Sequence, residues 1–436
     1  VETINRSGSV WSKSGYQVKV FDLNSFFLVP SGYSFSDPRV LYDPLSGQWF
    51  ASGFSLDYSS FNSQVYIAVS TNSDPTGSWI VYTVKADTSG IVYDQPKIGV
   101  SSDKVVISWN DIANDTTFTG SETAILQKAS MLTGGAAATI WFGPDPYRFD
   151  VVPSLSLSAS GPEYLVYNGQ SYLGVVTITG TPAQGTIAWG ESDPAIALTL
   201  MPPGALQPVG SRLATNDDRL LSAVWQNGIL WTGGNDMCLP PGDNTYRSCM
   251  RLVEVTTASA VPTVVEDFDV GSTGQYLFYP AVTLDPTGDA FFSFSISSSN
   301  LWASGGLAAL PVGVSYGSLT GPAIFQQGLG SYDCGSSCVG LFNGVRWGDY
   351  SAAAPDPVNP GYVWVAGEYA ASPTDTYDWG TAAAEVFLVQ LPATPTPTST
   401  VTPLATITPR PSATPTATST PSRVFLPYVT SGGSVP

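Results

Sequence analysis

Six times along its length this chain returns to one short pattern, a strand, a tight turn and a second strand, at intervals of about 60 residues. The opening unit reads Asp37-Pro38-Arg39-Val40-Leu41-Tyr42-Asp43-Pro44, then Gly47-Gln48-Trp49-Phe50-Ala51-Ser52-Gly53-Phe54. Related units occupy 93–110, 149–169, 211–233, 278–297 and 346–370. With Pro38, Pro96, Pro153, Leu213, Pro280 and Tyr350 taken as equivalent, the spacings are 58, 57, 60, 67 and 70 residues. A hairpin of this size cannot bury its own apolar face, so successive copies must cover one another. The turns carry Asp-Pro, Asn-Asp, Ser-Asp or Gly-Pro, residues that preset tight-turn geometry.

Further strand pairs fill the intervals, 64–70 with 79–84 and 173–180 with 185–190 among them, which makes four strands per repeat. Radial repetition of four-stranded sheets is an all-β propeller. Six blades are expected, with seven as the alternative count and a pair of β-sandwich domains as the alternative architecture. The alternating stretch 18–29 precedes the first hairpin without a partner, and the last repeat ends at 384–390. The amino-terminal strand is therefore expected to complete the final blade. Glycine at 43 and proline at 35, with only 11% charged residues, argue against long amphipathic helices.

The propeller body is assigned to 1–391. From 392 to 422 the composition changes to 8 Pro, 11 Thr and 4 Ser in 31 residues, with Arg410 the single charge. Such a segment is expected to be an extended, polyproline-like linker, with Thr394, Thr396, Thr398, Thr400, Thr414, Thr416 and Thr418 as O-glycosylation candidates. Residues 423–436 then bring a compact apolar block, Val424, Phe425, Leu426, Pro427, Tyr428 and Val429. A strand-like block at the end of a long tether reads as a docking segment.

Histidine is absent, which removes Ser-His-Asp triads, Cys-His dyads and imidazole bases. The net charge of −18 and the lack of Lys/Arg clusters argue against nucleic acid and anionic lipid as partners. No run of 18 apolar residues offers a membrane span. The chain opens at Val1 without an initiator methionine, which fits removal of an export signal or trimming of the chain. Four cysteines fall into two local pairs, Cys238 with Cys249 and Cys334 with Cys338, expected as disulfides in an oxidising compartment. A four-thiolate zinc site is the alternative, but the spacings do not match the usual knuckles.

The segment Ser70-Thr71-Asn72-Ser73-Asp74-Pro75-Thr76-Gly77-Ser78-Trp79 resembles the Asp-box hairpin of sialidase-like propellers, in which the aspartate braces the turn and the tryptophan plugs between sheets. The units at 93–100, 278–289 and 346–357, with the Thr/Pro-rich stalk and its ending Arg423-Val424-Phe425-Leu426-Pro427-Tyr428-Val429, are similar to secreted bacterial propeller proteins. That resemblance implies an arginine triad, a Tyr/Glu pair and an acidic residue if the chain is a glycosidase. Arg39, Arg212, Arg346, Asp349, Tyr350 and Glu368 are the candidates, since two carboxyls about 5 to 10 Å apart suffice for glycoside hydrolysis. The competing expectation is that these charges brace neighbouring blades.

No cofactor is expected. The loops 109–115, 216–218 and 234–236 carry oxygen ligands suited to a structural calcium, although none has EF-hand spacing and solvated turns are the default. The leading expectation is a non-catalytic structural protein, extracellular or at the cell surface, whose docking segment links it to copies of itself in a heterologous, filament-forming contact or to a cell-surface layer. A stalk-displayed carbohydrate-binding module or sialidase-like hydrolase, with glycans as ligands, is the alternative.

Overall fold

The computed structural model describes residues 1–340 and 344–388. The linker 392–422 with its glycosylation candidates, and the docking segment Val424–Val429, lie outside the described residues.

An amino-terminal meander of β1 (Glu2–Ile4), β2 (Ser7–Trp11) and β3 (Gln17–Asp22) leads into a one-turn helix, α1 (Leu23–Phe26). Five four-stranded antiparallel blades follow. The first comprises β4 (Ser34–Asp43), β5 (Gln48–Asp57), β6 (Asn62–Ser70) and β7 (Trp79–Ala86). The second comprises β8 (Ile91–Val100), β9 (Lys104–Ala113), β10 (Thr117–Gln127) and β11 (Thr139–Asp145). In the third blade the innermost strand, β12 (Val152–Pro153), is short, and β13 (Leu155–Ser156) leaves to pair in parallel with the inner strands on either side. That blade is completed by β14 (Glu163–Asn168), β15 (Leu173–Thr179) and β16 (Ala188–Ser192). The fourth comprises β17 (Leu220–Gln226), β18 (Ile229–Cys238), β19 (Arg247–Thr256) and β20 (Thr263–Val270). The fifth comprises β21 (Gln275–Leu284), β22 (Ala290–Ser298), β23 (Leu301–Leu310) and β24 (Thr320–Gln326). A two-stranded pair, β25 (Val339–Gly340) and β26 (Gly344–Val345), precedes a last, three-stranded sheet of β27 (Ala352–Pro355), β28 (Val363–Ala370) and β29 (Trp379–Val386).

The protein is thus a β-propeller with five complete blades rather than the six, or seven, expected. The sixth repeat unit forms only the three-stranded sheet, because no fourth strand follows β29 among the described residues. The expectation that the amino-terminal strand completes this sheet is also corrected. Strand β3 pairs with β2 alone, and the contacts from the meander to the last sheet are made by side chains. Thr381 Oγ1 donates to Glu2, and Lys13 Nζ lies 2.6 Å from Asp356 Oδ1.

Blades pack face to face, so both faces of the middle strands are covered and β22 is buried along its whole length. The core is accordingly divided into layers between neighbouring sheets. Phe50, Val65, Ile67, Ile98 and Ile107 fill the layer between the first two blades, and Leu252, Phe268, Leu277 and Phe292 fill one between the fourth and fifth. Each such side chain contributes about 1.5–3 kcal/mol on burial. The Asp-Pro turns do what their composition predicts. Asp43 accepts from the amides of Leu45 (3.1 Å) and Ser46 (3.2 Å), and Asp285 from Thr287 (2.8 Å) and Gly288 (3.0 Å). Asp356 accepts from Val358 (2.8 Å) and Asn359 (3.0 Å). In each, the carboxylate replaces a backbone acceptor and closes the hairpin.

Asp356 does more, because it also takes Lys13 and the Trp364 indole N–H at 3.0 Å. Burial pushes its carboxyl up, but these donors hold it well below the usual carboxylate range. Asp356→Asn is expected to cost about 1.5–3 kcal/mol at neutral pH and to speed amide exchange in the meander. A depressed native pKa stabilises above the unfolded value of 3.8 and loses its effect as pH falls through the native value. The two exchange profiles should therefore converge in strong acid.

Candidate functional site: a charged cluster on the axis

Inner strands enter the ring through a recurrent kink. Asp37, Gln95, Asp150, Asn216 and Tyr279 all adopt left-handed φ values, between 49° and 59°. In three blades the kinked residue is followed by proline, at Pro38, Pro96 and Pro280, and the ladder breaks there, between Ser36 and Arg39, Asp94 and Lys97, and Phe278 and Ala281. These three prolines are the equivalent positions expected from the repeat. The third and fourth kinks fall instead at Asp150 and Asn216, three residues from the expected Pro153 and Leu213. A non-glycine residue holds this conformation only when its surroundings impose it.

What the kinks deliver to the axis is charge. Lys97 follows the second kink and pairs with Asp150, the third kink; their exposures are 3% and 2%. Arg219, three residues past the fourth kink, places Nε 3.1 Å from the other oxygen of Asp150 and grips Asp217 in bidentate fashion at 2.6 and 2.7 Å. Its guanidinium also lies over the Phe149 ring, 4.8 Å from the centroid. One carboxylate thus ties the second, third and fourth blades together. Burial pushes Asp150 up, yet Lys97 and Arg219 hold it below the ordinary range, and burial lowers Lys97. Asp94 is pushed up to about 7 by burial and by the charge of Asp37.

The first blade meets the last sheet in a second contact. Arg39 stacks on Tyr350, its Cζ 3.9 Å from the ring centroid, and Arg346 pairs with Asp349. Asp349 is buried and shifted up by that burial against the pull of Arg346, whereas the Arg346 side chain is 62% exposed. Tyr279, fully buried, donates its hydroxyl to the Ala214 carbonyl at 2.9 Å. Burial first, and nearby carboxylates second, push the Tyr279 and Tyr350 phenols well above their usual range. Glu368, on β28, rises to about 8 by burial and the charge of Asp349. A Cβ at Gly348 would stand 1.8 Å from Glu368 Oε2, so only glycine admits the carboxyl there.

Of the six residues singled out from the sequence, Arg39 and Tyr350 form one stacked pair between the first and last repeats, and Arg346 and Asp349 one ion pair within the last. Glu368 lies behind them at Gly348. Arg212 stands apart from these pairs, exposed and donating to the Gly204 carbonyl at 2.7 Å. The cation missed by sequence reasoning is Arg219, together with Lys97, Asp94 and Asp150. One signal was available, since a cation directly follows the kink proline in both Pro38-Arg39 and Pro96-Lys97.

The loops considered for calcium have protein partners. Asp111 accepts from the Trp109 indole at 3.0 Å, Asp217 holds Arg219, and Asp218 accepts from Thr199 at 2.8 Å. Asp236 binds Arg251 at 2.7 Å, and Asn235 donates to the Thr215 carbonyl at 2.9 Å. Both expected disulfides are present, Cys238–Cys249 across β18 and β19 and Cys334–Cys338 ahead of β25, with Cα separations of 5.8 and 5.7 Å. In the segment resembling an Asp-box, Asp74 accepts from the Thr76 amide at 2.9 Å, and Trp79 packs on Phe26. No helix among the described residues is long and apolar enough to cross a membrane.

No family profile matches the chain, and no curated protein sequence matches it. Solved structures resemble it in outline. A protein of unknown function from Dyadobacter fermentans DSM 18053 is 10% identical over 88% of this chain and 99% of its own, with a TM-score of 0.42. A polysaccharide lyase of family PL25, an ulvan lyase, is 10% identical over 82% and 83%, with a TM-score of 0.41. A mutant Trypanosoma rangeli sialidase displaying trans-sialidase activity is 10% identical over 84% of this chain, which spans 55% of that protein, with a TM-score of 0.39. The propeller assignment rests on the sheet topology itself.

Proposed function

We propose that the protein is a non-catalytic extracellular scaffold, a rigid ring whose axial charges hold its blades together. The observation that carries this reading is the pairing of those charges across blade boundaries. Lys97, Asp150 and Arg219 link three blades, and Arg39 and Tyr350 join the first to the last sheet. Chemistry of the sialidase type would ask for an activated phenol. Here Tyr350 is shifted away from phenolate and lies under a guanidinium. The third arginine, Arg212, is bonded to a backbone carbonyl instead. The two disulfides support a place in an oxidising compartment.

A second reading, a glycan-binding mouth, is favoured by one observation. The exposed guanidinium of Arg346 is fixed by Asp349 at the axis and retains N–H groups for an acidic or polyhydroxylated ligand. A glycan array distinguishes the two. The scaffold reading expects no spot whose signal depends on Arg346. Turnover of neutral and acidic glycosides should stay at buffer level for the wild type, Asp349→Asn and Glu368→Gln alike. Turnover abolished by Glu368→Gln without loss of folding would overturn it.

A further inference from the structure

The last sheet stops one strand short. In the five complete blades a third strand is always covered by a fourth, after connections that run from six residues (257–262) to eleven (128–138). Strand β29 occupies the third position. One of its faces is seated as in the other blades, with Ala384 and Val386 buried against Phe291, Ala309 and Phe325 of the fifth blade. Beyond it no strand follows among the described residues. Its opposite face meets the amino-terminal meander at Thr381, which donates to Glu2, and is otherwise open. Trp379 is 40% and Phe387 50% exposed at its two ends, Phe387 packs on the partly exposed Tyr362 at 4.9 Å, and Ala383 is exposed between them. Third strands elsewhere, such as β6 and β19, are almost wholly buried. A third strand whose outer edge is paired with no described strand is an acceptor for a further strand.

The geometry points to the occupant, and we infer that it is the segment Val424–Val429 of a second copy of this chain, added as the missing fourth strand along β29. Three observations select it. The block Val-Phe-Leu-Pro-Tyr-Val has the aromatic and β-branched character of existing fourth strands, such as β7 (Trp-Ile-Val-Tyr-Thr-Val-Lys-Ala). Its Pro427 would be excluded from a central strand, but it is at home in this position. Two of the five fourth strands, β11 and β24, carry a proline, Pro144 and Pro322, because an outermost strand can turn an unpaired edge to solvent. The tether decides between a self-contained fold and exchange. Residues 387–423 separate β29 from the block, several times the longest third-to-fourth connection in the ring. A Pro/Thr-rich spacer of that length, extended at about 3.1 Å per residue, lowers the effective concentration for return to its own sheet and reaches a neighbour. Donor and acceptor surfaces differ, so the contact is head-to-tail and continues from copy to copy. It is independent of whether the axial mouth binds a glycan.

The test uses the full chain. Sedimentation velocity should show association that grows with concentration, and amide exchange over 379–386 should slow as the associated fraction rises. Phe425→Asp/Tyr428→Asp should abolish the associated species while leaving the melting curve unchanged at concentrations where the wild type is monomeric, since the described blades are built from residues before 389. A mixture of the full-length single variants Ala383→Cys and Leu426→Cys, oxidised together, should yield a disulfide-linked heterodimer that neither forms alone. A wild type monomeric at every concentration, association that survives the double substitution, or protection of 379–386 that is complete in the monomer each overturns the inference.

Discussion

Asp150→Ala is expected to destabilise the ring by about 3–5 kcal/mol, because it strips the counter-charge from two buried cations at once. Lys97 is 3% exposed and Arg219 9%, and Asp150 faces both, one oxygen toward each. The carboxylate also accepts from Asn110 Nδ2 at 3.4 Å, beside the bond that the Asp150 backbone amide donates to Asn110 Oδ1 at 3.0 Å. A loss of that size is a large share of the roughly 5–15 kcal/mol by which a folded domain is held. Denaturant unfolding followed by tryptophan fluorescence checks it. Lys97→Met should cost much less, since Asp150 keeps Arg219 and the variant places an apolar chain of similar length in an interior site. A smaller effect for Asp150→Ala than for Lys97→Met contradicts the assignment of Asp150 as the shared brace.

The second large effect depends on pH. Glu163, the first residue of β14, is fully buried, with Oε1 3.3 Å from Ser154 Oγ. Burial pushes its carboxyl from 4.5 up to about 8, against the pull of the Ser101 and Ser154 hydroxyls and the Lys104 charge. The native state therefore keeps a proton that the unfolded chain releases. Its stabilising contribution is complete below the unfolded value of 4.5 and is lost progressively as pH rises through about 8. At 1.36 kcal/mol per pKa unit the difference across that window is on the order of 3–5 kcal/mol. Glu163→Gln should match the wild type near pH 4 and exceed it increasingly up to pH 9 in melting temperature. Parallel pH profiles for the two proteins contradict this reading of the site.

The class of fold was legible in the chain because hairpin periodicity and Asp-Pro turns are local. Asp43, Asp285 and Asp356 close their turns by bonding amides two and three residues on, an interaction that needs no distant partner. Pro38, Pro96 and Pro280 marked the repeat phase for the same reason. The third and fourth units were misaligned where the inner strand is cut to the two residues of β12 and where the kinks fall on Asp150 and Asn216 without a following proline. Alternation over 18–29 identified a strand but not its neighbour. Side-chain period tells which face is buried and says little about which edge is paired, so β3 was assigned to the last sheet although it pairs with β2.

The site was legible in pieces. Arg39, Arg346, Asp349 and Tyr350 stood out because they flank repeat starts, and two contacts do bring them together. Arg212 shares their position in the repeat but not their surroundings, since it bonds the Gly204 carbonyl. Asp150 and Arg219 lie in different repeats, and their pairing exists only once the third and fourth blades pack together. No local pattern encodes it.

At the centre of this account is the claim that axial charges are committed to holding neighbouring blades together. A double-mutant cycle on Lys97→Met and Asp150→Asn measures that commitment most directly, because it isolates the pair from the cost of altering either residue alone. The account predicts a favourable coupling of about 1.5 kcal/mol or more, as found for close charge pairs excluded from water. Coupling energies within about 0.3–0.5 kcal/mol of zero, the range of independent sites, would contradict it.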